Sequence, residues 1–476
     1  MRLLIIFILS PFFLFSQTQI GSDIDGLGVN DRSGNVSISS DGTIVAIGAP
    51  GNNYVRVFEN STGYWKQIGN TIYGNNSFDN FGSSVSLSND GSIIAVGSPD
   101  TEVAGYVRIF ENNSGVWTQI GDDLIGESEY LFDGWLLNFS FGKSVSLSDD
   151  GTILAIGEDR GPYYPWEPQY GRAGFIHMYE NISGVWTKMG NHINNLGIHY
   201  LNDISISSDG STVAIFSLGD NPSTFGRPGH VNVFKNTSDV WTQVGVTFYG
   251  LGYGLSTIND VSLSDNGYIL AIGGSSTKVY ENIGNVWTLI NDNIELENIY
   301  EFPGQVSLSG DGSIVALSGF DNTRIFTRQG FVRIYKNESG TWNKKGDDIS
   351  GEWLEDFYHN ISLSSNGGII AIGSETNDGN GANSGHVRIY DLSSLLSSED
   401  FVLSQFSLFP NPTKDQFTIN LNKNIELDYI NIYNYLEQLI SSTQETTVST
   451  SHLSSGMYYV EVITDRGKLT KKLVIE

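Results

Sequence analysis

The 476-residue chain has no cysteine, and only 25 lysine and arginine residues stand against 53 aspartate and glutamate. Without cysteine there are no disulfides, thiolate metal ligands or cysteine nucleophiles. The shortage of basic residues, with a net charge of −28, removes the counterion-release term that drives binding to nucleic acid and to anionic membranes. Charged residues make up only 16% of the chain, too few for a coiled coil or a charged disordered chain. Long apolar runs are missing after the first segment, where Arg2 precedes the apolar stretch Leu3–Phe15. That run is interrupted by Pro11 and is shorter than the ~20 residues a membrane span requires. Residues 1–16 therefore read as a cleaved signal peptide, and the mature chain is expected outside the cytoplasm with no transmembrane segment.

Glycine (55 residues) and aromatic side chains (12%) are plentiful, the profile of a turn-rich all-β protein. One pattern recurs seven times: NVSISSDGTIVAIG (35–48), SVSLSNDGSIIAVG (84–97), SVSLSDDGTILAIG (144–157), DISISSDGSTVAIF (203–216), DVSLSDNGYILAIG (260–273), QVSLSGDGSIVALS (305–318) and NISLSSNGGIIAIG (360–373). Each copy predicts an alternating strand, a tight Asp-Gly or Asn-Gly turn in which both residues tolerate positive φ, and an apolar strand covered on both faces. The alanine at 46, 95, 155, 214, 271, 316 and 371 is expected where strands crowd onto an axis. A third strand (YVRIFEN, 106–112, and its equivalents) follows in all seven units, and a fourth (VWTQIG, 116–121) in six. The missing fourth strand matches QTQIGSDIDG (17–26). The expectation is a seven-bladed β-propeller over 17–392, closed by its N-terminal strand.

FGSSVSLSNDGSIIAVGSP (81–99) and FGKSVSLSDDGTILAIG (141–157) resemble FG-GAP repeats of the integrin α-subunit type. Phe81-Gly82 and Phe141-Gly142 stand for the FG, and Gly48-Ala49-Pro50 and Gly97-Ser98-Pro99 for the GAP. The resemblance implies an interaction module rather than a catalyst. The calcium sites of such propellers do not carry over, because a bare Asp-Gly turn is too short to wrap an ion needing six to eight oxygens. Asp378, Asn380 and Asn383, in a glycine-rich loop, are an alternative oxygen-ligand set.

Beyond a linker (393–404), residues 405–476 lose the repeat and are nearly neutral, with six basic and eight acidic residues in 401–476. Short alternating strands predict a small β-sandwich. Pro410-Asn411-Pro412, the stretch Leu453–Tyr459 with Gly456 and Tyr458, and a last strand bearing Lys471 and Lys472 are similar to the type A C-terminal sorting domain of the type IX secretion system of Bacteroidetes. That resemblance implies the secretion machinery as a partner, and a secreted or outer-surface destination.

Strand alternation puts the long, irregular connections on one face, where function is expected. Six of nine tryptophans belong to fourth strands and are expected to pack between blades. Trp135, Trp166 and Trp353 fall in long connections, with Tyr163, Tyr164, Tyr170, Asp159 and Glu167 beside the first two. Such aromatic and acidic groups suit a sugar ring or a partner's side chains. His177, His230 and His386 substitute for Arg or aromatic residues of the repeat, and no catalytic triad or HExxH is visible. Phe-Gly-Lys-Ser (141–144) lacks the first P-loop glycine, since Leu137 stands there. The expected function is a monomeric, non-catalytic propeller that binds an extracellular glycan or protein, without cofactor. The alternatives are a polysaccharide hydrolase or lyase using loop carboxylates, and an acidic spacer.

Overall fold

A computed structural model describes residues 17–76, 79–99, 104–126, 139–160, 173–194, 199–219, 229–250, 258–298, 300–322, 329–352, 360–396, 406–421, 427–434, 438–451, 453–464 and 467–475. Gln17–Leu392 forms one compact unit and Ser393–Glu476 belongs to a second.

Among the described residues of the first unit, seven antiparallel sheets follow one another along the chain. In the second, strands Ser84–Leu87, Ile93–Ser98, Tyr106–Asn112 and Trp117–Gln119 lie in that order, and Leu124–Ile125 returns to pair with the third strand. The second strands are apolar along their length because sheets cover both of their faces: Val45, Ile94, Leu154, Val213, Leu270, Val315 and Ile370 are all fully buried. The repeat alanines are equally inaccessible. They do not lie on the axis, however. Ala46 packs with Phe81, Ile94 and Val96 of the following sheet, and Ala95 with Phe141 and Ile156 of the next. Small residues there let successive sheets approach face to face, and the core is a series of inter-sheet layers.

The turn between first and second strands also differs from the two-residue hairpin the dipeptide suggests. The N–H of Gly42 donates to the carbonyl of Ser39, and only the glycine has positive φ (+76°). The Ser39 hydroxyl donates to Asp41 and accepts the N–H of Ile44, while the Asp41 carboxylate also takes the Thr43 N–H. The same staple recurs at Ser88/Asp90, Ser148/Asp150, Ser207/Asp209, Ser264/Asn266, Ser309/Asp311 and Ser364/Asn366. An aspartate or asparagine is needed to accept these donors, so its carboxylate is committed to the turn.

First strands of successive sheets are joined by two closed circuits of hydrogen bonds. In one, backbone N–H groups donate in the order Ser40, Asn89, Asp149, Ser208, Asp265, Gly310, Ser365 and back to Ser40, at 2.8–3.0 Å. In the other, the hydroxyls of Ser37, Ser86, Ser146, Ser205, Ser262, Ser307 and Ser362 each accept a backbone N–H of the next sheet's first strand, at 2.9–3.3 Å. The second circuit explains the polar alternate position of the V-S-L repeat.

Thr18–Gln19 and Ile24–Asp25 complete the last sheet by pairing with His386–Asp391 (Gln19 opposite Tyr390, Ile24 opposite Val387). Tryptophan packing crosses this junction as it does others: Trp65 Nε1 donates to the Ile20 carbonyl at 2.9 Å, as Trp117 does to Ile68 and Trp287 to Val244.

In the second unit the chain continues from Leu392 into a helical turn, Ser393–Leu396, with Leu396 buried. A three-stranded sheet (Phe406–Phe409, Gln416–Leu421, Thr447–Ser449) and a four-stranded sheet (Leu439–Thr443, Leu427–Asn434, Gly456–Thr464, Gly467–Ile475) follow. Both sheets contribute to one apolar core, in which Phe417, Ile430, Ile432, Val460, Val462 and Leu473 have no exposed surface.

Candidate functional site: a polar axial cavity

Each first strand carries a polar residue just before its apolar-serine-apolar stretch, toward the long-connection end: Asn35, Ser84, Ser144, Asp203, Asp260, Gln305 and Asn360. Because first strands are innermost, these seven side chains converge on a cavity of about 350 Å³ that is also lined by Lys143, Asn202 and Asn259.

Most of the seven reach to the next sheet. The Asn35 amide donates to the Gly82 carbonyl, and the Ser84 hydroxyl to that of Gly142. Ser144 Oγ donates to Asp203 at 2.9 Å and accepts the Ile204 N–H. Asp260 accepts the Val306 N–H at 2.8 Å, and Gln305 accepts that of Ile361.

Asp203 and Asp260 are hydrogen-bonded to one another. Burial raises the pKa of both, and the charge on Asp203 raises that of Asp260 further, well above the usual carboxylate range. Two adjacent carboxyls out of bulk water cannot both ionise cheaply, so burial and the neighbouring charge favour a proton retained on the pair, on Asp260 first. Lys143 also lines the cavity, with its ammonium 3.6 Å from Asp159.

Asp159 is the one sequence-predicted binding residue that the structure describes, at the end of strand Ile153–Arg160, buried and drawn toward the cavity through Lys143. Trp135, Tyr163, Tyr164, Trp166, Glu167, Tyr170 and Trp353 lie outside the described residues. In the 378–383 loop, Asp378 accepts the Asn383 N–H, while the amides of Asn380 and Asn383 donate to the Gly26 carbonyl and to Asn30. Those side chains tie the loop to the N-terminal segment. Sequence reasoning missed the Asp203–Asp260 pair, although aligning the repeats shows seven polar residues in one column and two consecutive aspartates within it.

Two other acidic clusters resolve into closed sets of side-chain contacts. Asp23, Glu352 and His386 converge with metal-ligand geometry. Arg388, however, bonds Asp23 at 3.2 Å through Nε and Glu352 at 2.7 Å through Nη2. The His386 hydrogen bond, aided by Gln19 and Arg388, holds the Asp23 carboxyl far below its usual range despite partial burial. Glu158 and His177 form a buried pair at 2.5 Å.

In the second unit, the Asn411 side chain donates to the Lys472 carbonyl and accepts the Val474 N–H, fastening Pro410-Asn411-Pro412 to the last strand. Tyr458 Oη donates to the Ser454 carbonyl. Lys471 is half-buried and Lys472 exposed. Gly456 opens the strand that pairs with both Leu427–Asn434 and the last strand.

Sheets of four strands arranged about a polar axial cavity define a β-propeller, and comparison with solved structures agrees. The β-propeller domain of Cps50 (Swd1) from Myceliophteria thermophila superposes with a TM-score of 0.52 at 11% identity, over 78% of this chain and 99% of that one. The hydrazine synthase of Kuenenia stuttgartiensis gives 0.48 at 11% identity, over 75% of this chain and 94% of that one. The first of these likenesses speaks to fold and not to activity. No curated protein matches the chain. Residues 407–476 match the family described as the secretion system C-terminal sorting domain. The tail is therefore a type IX sorting domain, which engages that machinery and directs the protein to the cell surface or beyond. Among the described residues, no helix is long and apolar enough to cross a membrane.

Proposed function

We propose that the protein is a non-catalytic binding module, a seven-bladed propeller closed by its N-terminal strand and followed by a β-sandwich sorting domain. It acts as a monomer and holds an extracellular glycan at the long-connection end of its axial cavity. The observation that carries this reading is the cavity lining. Asn35, Asn202, Asn259, Asn360 and Gln305 are amides, and Ser84 and Ser144 are hydroxyls. Most of these groups bond the next sheet, while among the described residues the Asn202 and Asn360 amides keep both donors and acceptors, the mixture that sugar hydroxyls require. Lys143 is drawn to Asp159 and burial opposes charge on the aspartate pair, so the lining concentrates little charge, which favours an uncharged ligand. A volume of about 350 Å³ sits at the small end of the ~300–1,000 Å³ range of ligand sites, enough for one terminal sugar. The close approach of Gly82 to Gly48, and of Gly142 to Gly97, also suits the FG-GAP reading of the first units.

The hydrolase reading draws less support. A glycosidase needs carboxyls roughly 5–9.5 Å apart, whereas Asp203 and Asp260 are directly bonded. The test is a glycan array with the purified exported protein, followed by titration of the strongest glycan against Asn202→Leu and Asn360→Leu. Each variant loses about tenfold in affinity if one net hydrogen bond to the sugar disappears. Unchanged affinity in both, or no glycan bound, sinks the proposal. Bond cleavage during the titration moves the protein to the enzyme class.

A further inference from the structure

The third strands carry a second repeat signal whose one exception leaves a cavity. Their leading position holds Tyr54, Tyr106, Phe175, His230, Phe331 and His386 in six sheets, but Ser276 in the fifth. Two residues on stands a cation in most sheets, and it uses that ring. Arg56 lies 5.6 Å from the Tyr54 ring centroid, Arg108 5.0 Å from Tyr106, and Arg333 4.1 Å from Phe331. Two of these cations, and Arg388 in the last sheet, take a carboxylate from the returning segment: Arg108 pairs with Asp123, Arg333 with Asp348, and Arg388 with Asp23. In the fifth sheet the cation is Lys278, the ring is missing, and the residue equivalent to Asp123 is Asn293. Among the described residues Lys278 makes no ion pair, hydrogen bond or ring contact.

The vacated space is a cavity of about 210 Å³ at the long-connection end, between Phe248–Tyr249 and the head of strand Ser276–Ile283. Phe248, Tyr249 and Tyr280 wall it, and Ser276, Lys278 and Asn293 supply its polar side. Phe248 and Tyr280 are set at 4.6 Å between centroids, so the walls are rigid aromatic surfaces. Glu295, the nearby acid, is engaged by the Ser276 hydroxyl at 2.8 Å and the Asn293 amide at 3.2 Å rather than by Lys278.

We propose that this slot binds a small aromatic acid, whose ring takes the place of the missing side chain and whose carboxylate meets the Lys278 ammonium. An apolar cavity of about 150 Å³ already admits benzene, so 210 Å³ accommodates a ring with a short acidic arm. The repeat itself is the template. Six sheets supply the ring covalently, and three of them show a cation over it. This site is separate from the axial cavity and does not depend on its ligand.

The probes are phenylacetate and its neutral amide, phenylacetamide, titrated calorimetrically into the purified full-length protein. Phenylacetate is expected to bind at one site, about tenfold more tightly than the amide, from a charge-assisted hydrogen bond. Lys278→Gln brings acid and amide to equal affinity. Ser276→Phe restores the repeat and excludes both while leaving the unfolding midpoint unchanged or higher; should it misfold, Lys278→Gln decides alone. Asn360→Leu, in the axial cavity, leaves phenylacetate binding intact. The proposal is overturned by equal binding of acid and amide to the unaltered protein, or by undiminished binding to folded Ser276→Phe. Loss of binding in Asn360→Leu, or no binding of phenylacetate up to about 10 mM, overturns it as well.

Discussion

Replacing Ile24 by alanine tests whether the N-terminal segment is structural. Ile24 is 7% exposed and pairs with Val387, in a cluster with Ile38, Val45, Ile47, Phe58, Ala371 and Ile389. Its side chain thus links the last sheet to the first, beside the seam within the last sheet where the N-terminal strands meet His386–Asp391 without a covalent connection. Truncating a buried isoleucine to alanine costs about 2–5 kcal/mol, from lost transfer energy and the cavity left behind. Partial access at a two-residue strand places this site near the lower bound, at about 3 kcal/mol. All nine tryptophans precede residue 354, so tryptophan fluorescence in urea follows the propeller without signal from the tail. Ile193, 4% exposed in the equivalent returning segment of the third sheet, is the internal control. Ile193→Ala and Ile24→Ala are expected to fall by similar amounts. Ile24→Ala combined with Val387→Ala is expected to be non-additive by about 0.5–3 kcal/mol, because the two residues touch. A loss below about 0.5 kcal/mol for Ile24→Ala alone, with Ile193→Ala costly, refutes the view that the N-terminal strand closes the ring.

Two further outcomes follow from the axial pair and from the tail. Asp260 keeps a proton in the folded state that the unfolded chain releases near pH 4, so its favourable contribution is complete below that pH and is lost as pH rises through the raised folded value. Asp260→Asn keeps a donor for Asp203 and an acceptor for the Val306 N–H. Urea midpoints across pH 4–9 should therefore decline less on the alkaline side than in the unaltered protein, and a steeper decline refutes the shared proton. In the tail, Asn411→Ala removes both solvent-exposed bonds to the last strand, at about 0.5–1.5 kcal/mol. Proteolysis of the tail should accelerate and export to the surface should fall, and unchanged export separates the sorting signal from this fastening.

Much of this architecture was legible from residues alone, because each unit repeats the same local chemistry. The Ser-x-Asp/Asn-Gly turn and the alternate serine each solve one bonding problem in every sheet, and the fourth-strand tryptophan bonds a carbonyl of the preceding sheet at Trp65, Trp117 and Trp287. The detailed turn geometry was not legible. Asp-Gly is compatible with more than one loop, and only the Ser39 hydroxyl bonding across five residues to Ile44 selects this one. The alanine column misled for a related reason: small size reports crowding without saying which neighbour crowds. The axial site was hidden because asparagine, serine, aspartate and glutamine look like ordinary strand-edge polar residues until the circular arrangement brings seven of them together. The Ser276 exception is visible only against that same alignment.

The antiparallel pairing of Gln19 with Tyr390 and Thr18 with Asp391 has a mechanical consequence. The chain enters the ring at Gln17 and leaves it after Leu392, so both of these points lie at the same end of one ladder. Tension between them loads its bonds singly, in sequence, like the teeth of a zip. The other six sheets, each linked to its neighbours through the chain itself, carry little of that pull at first. A molecule held at both ends would therefore peel at this seam before any other part yields, and would re-engage it once slack returns.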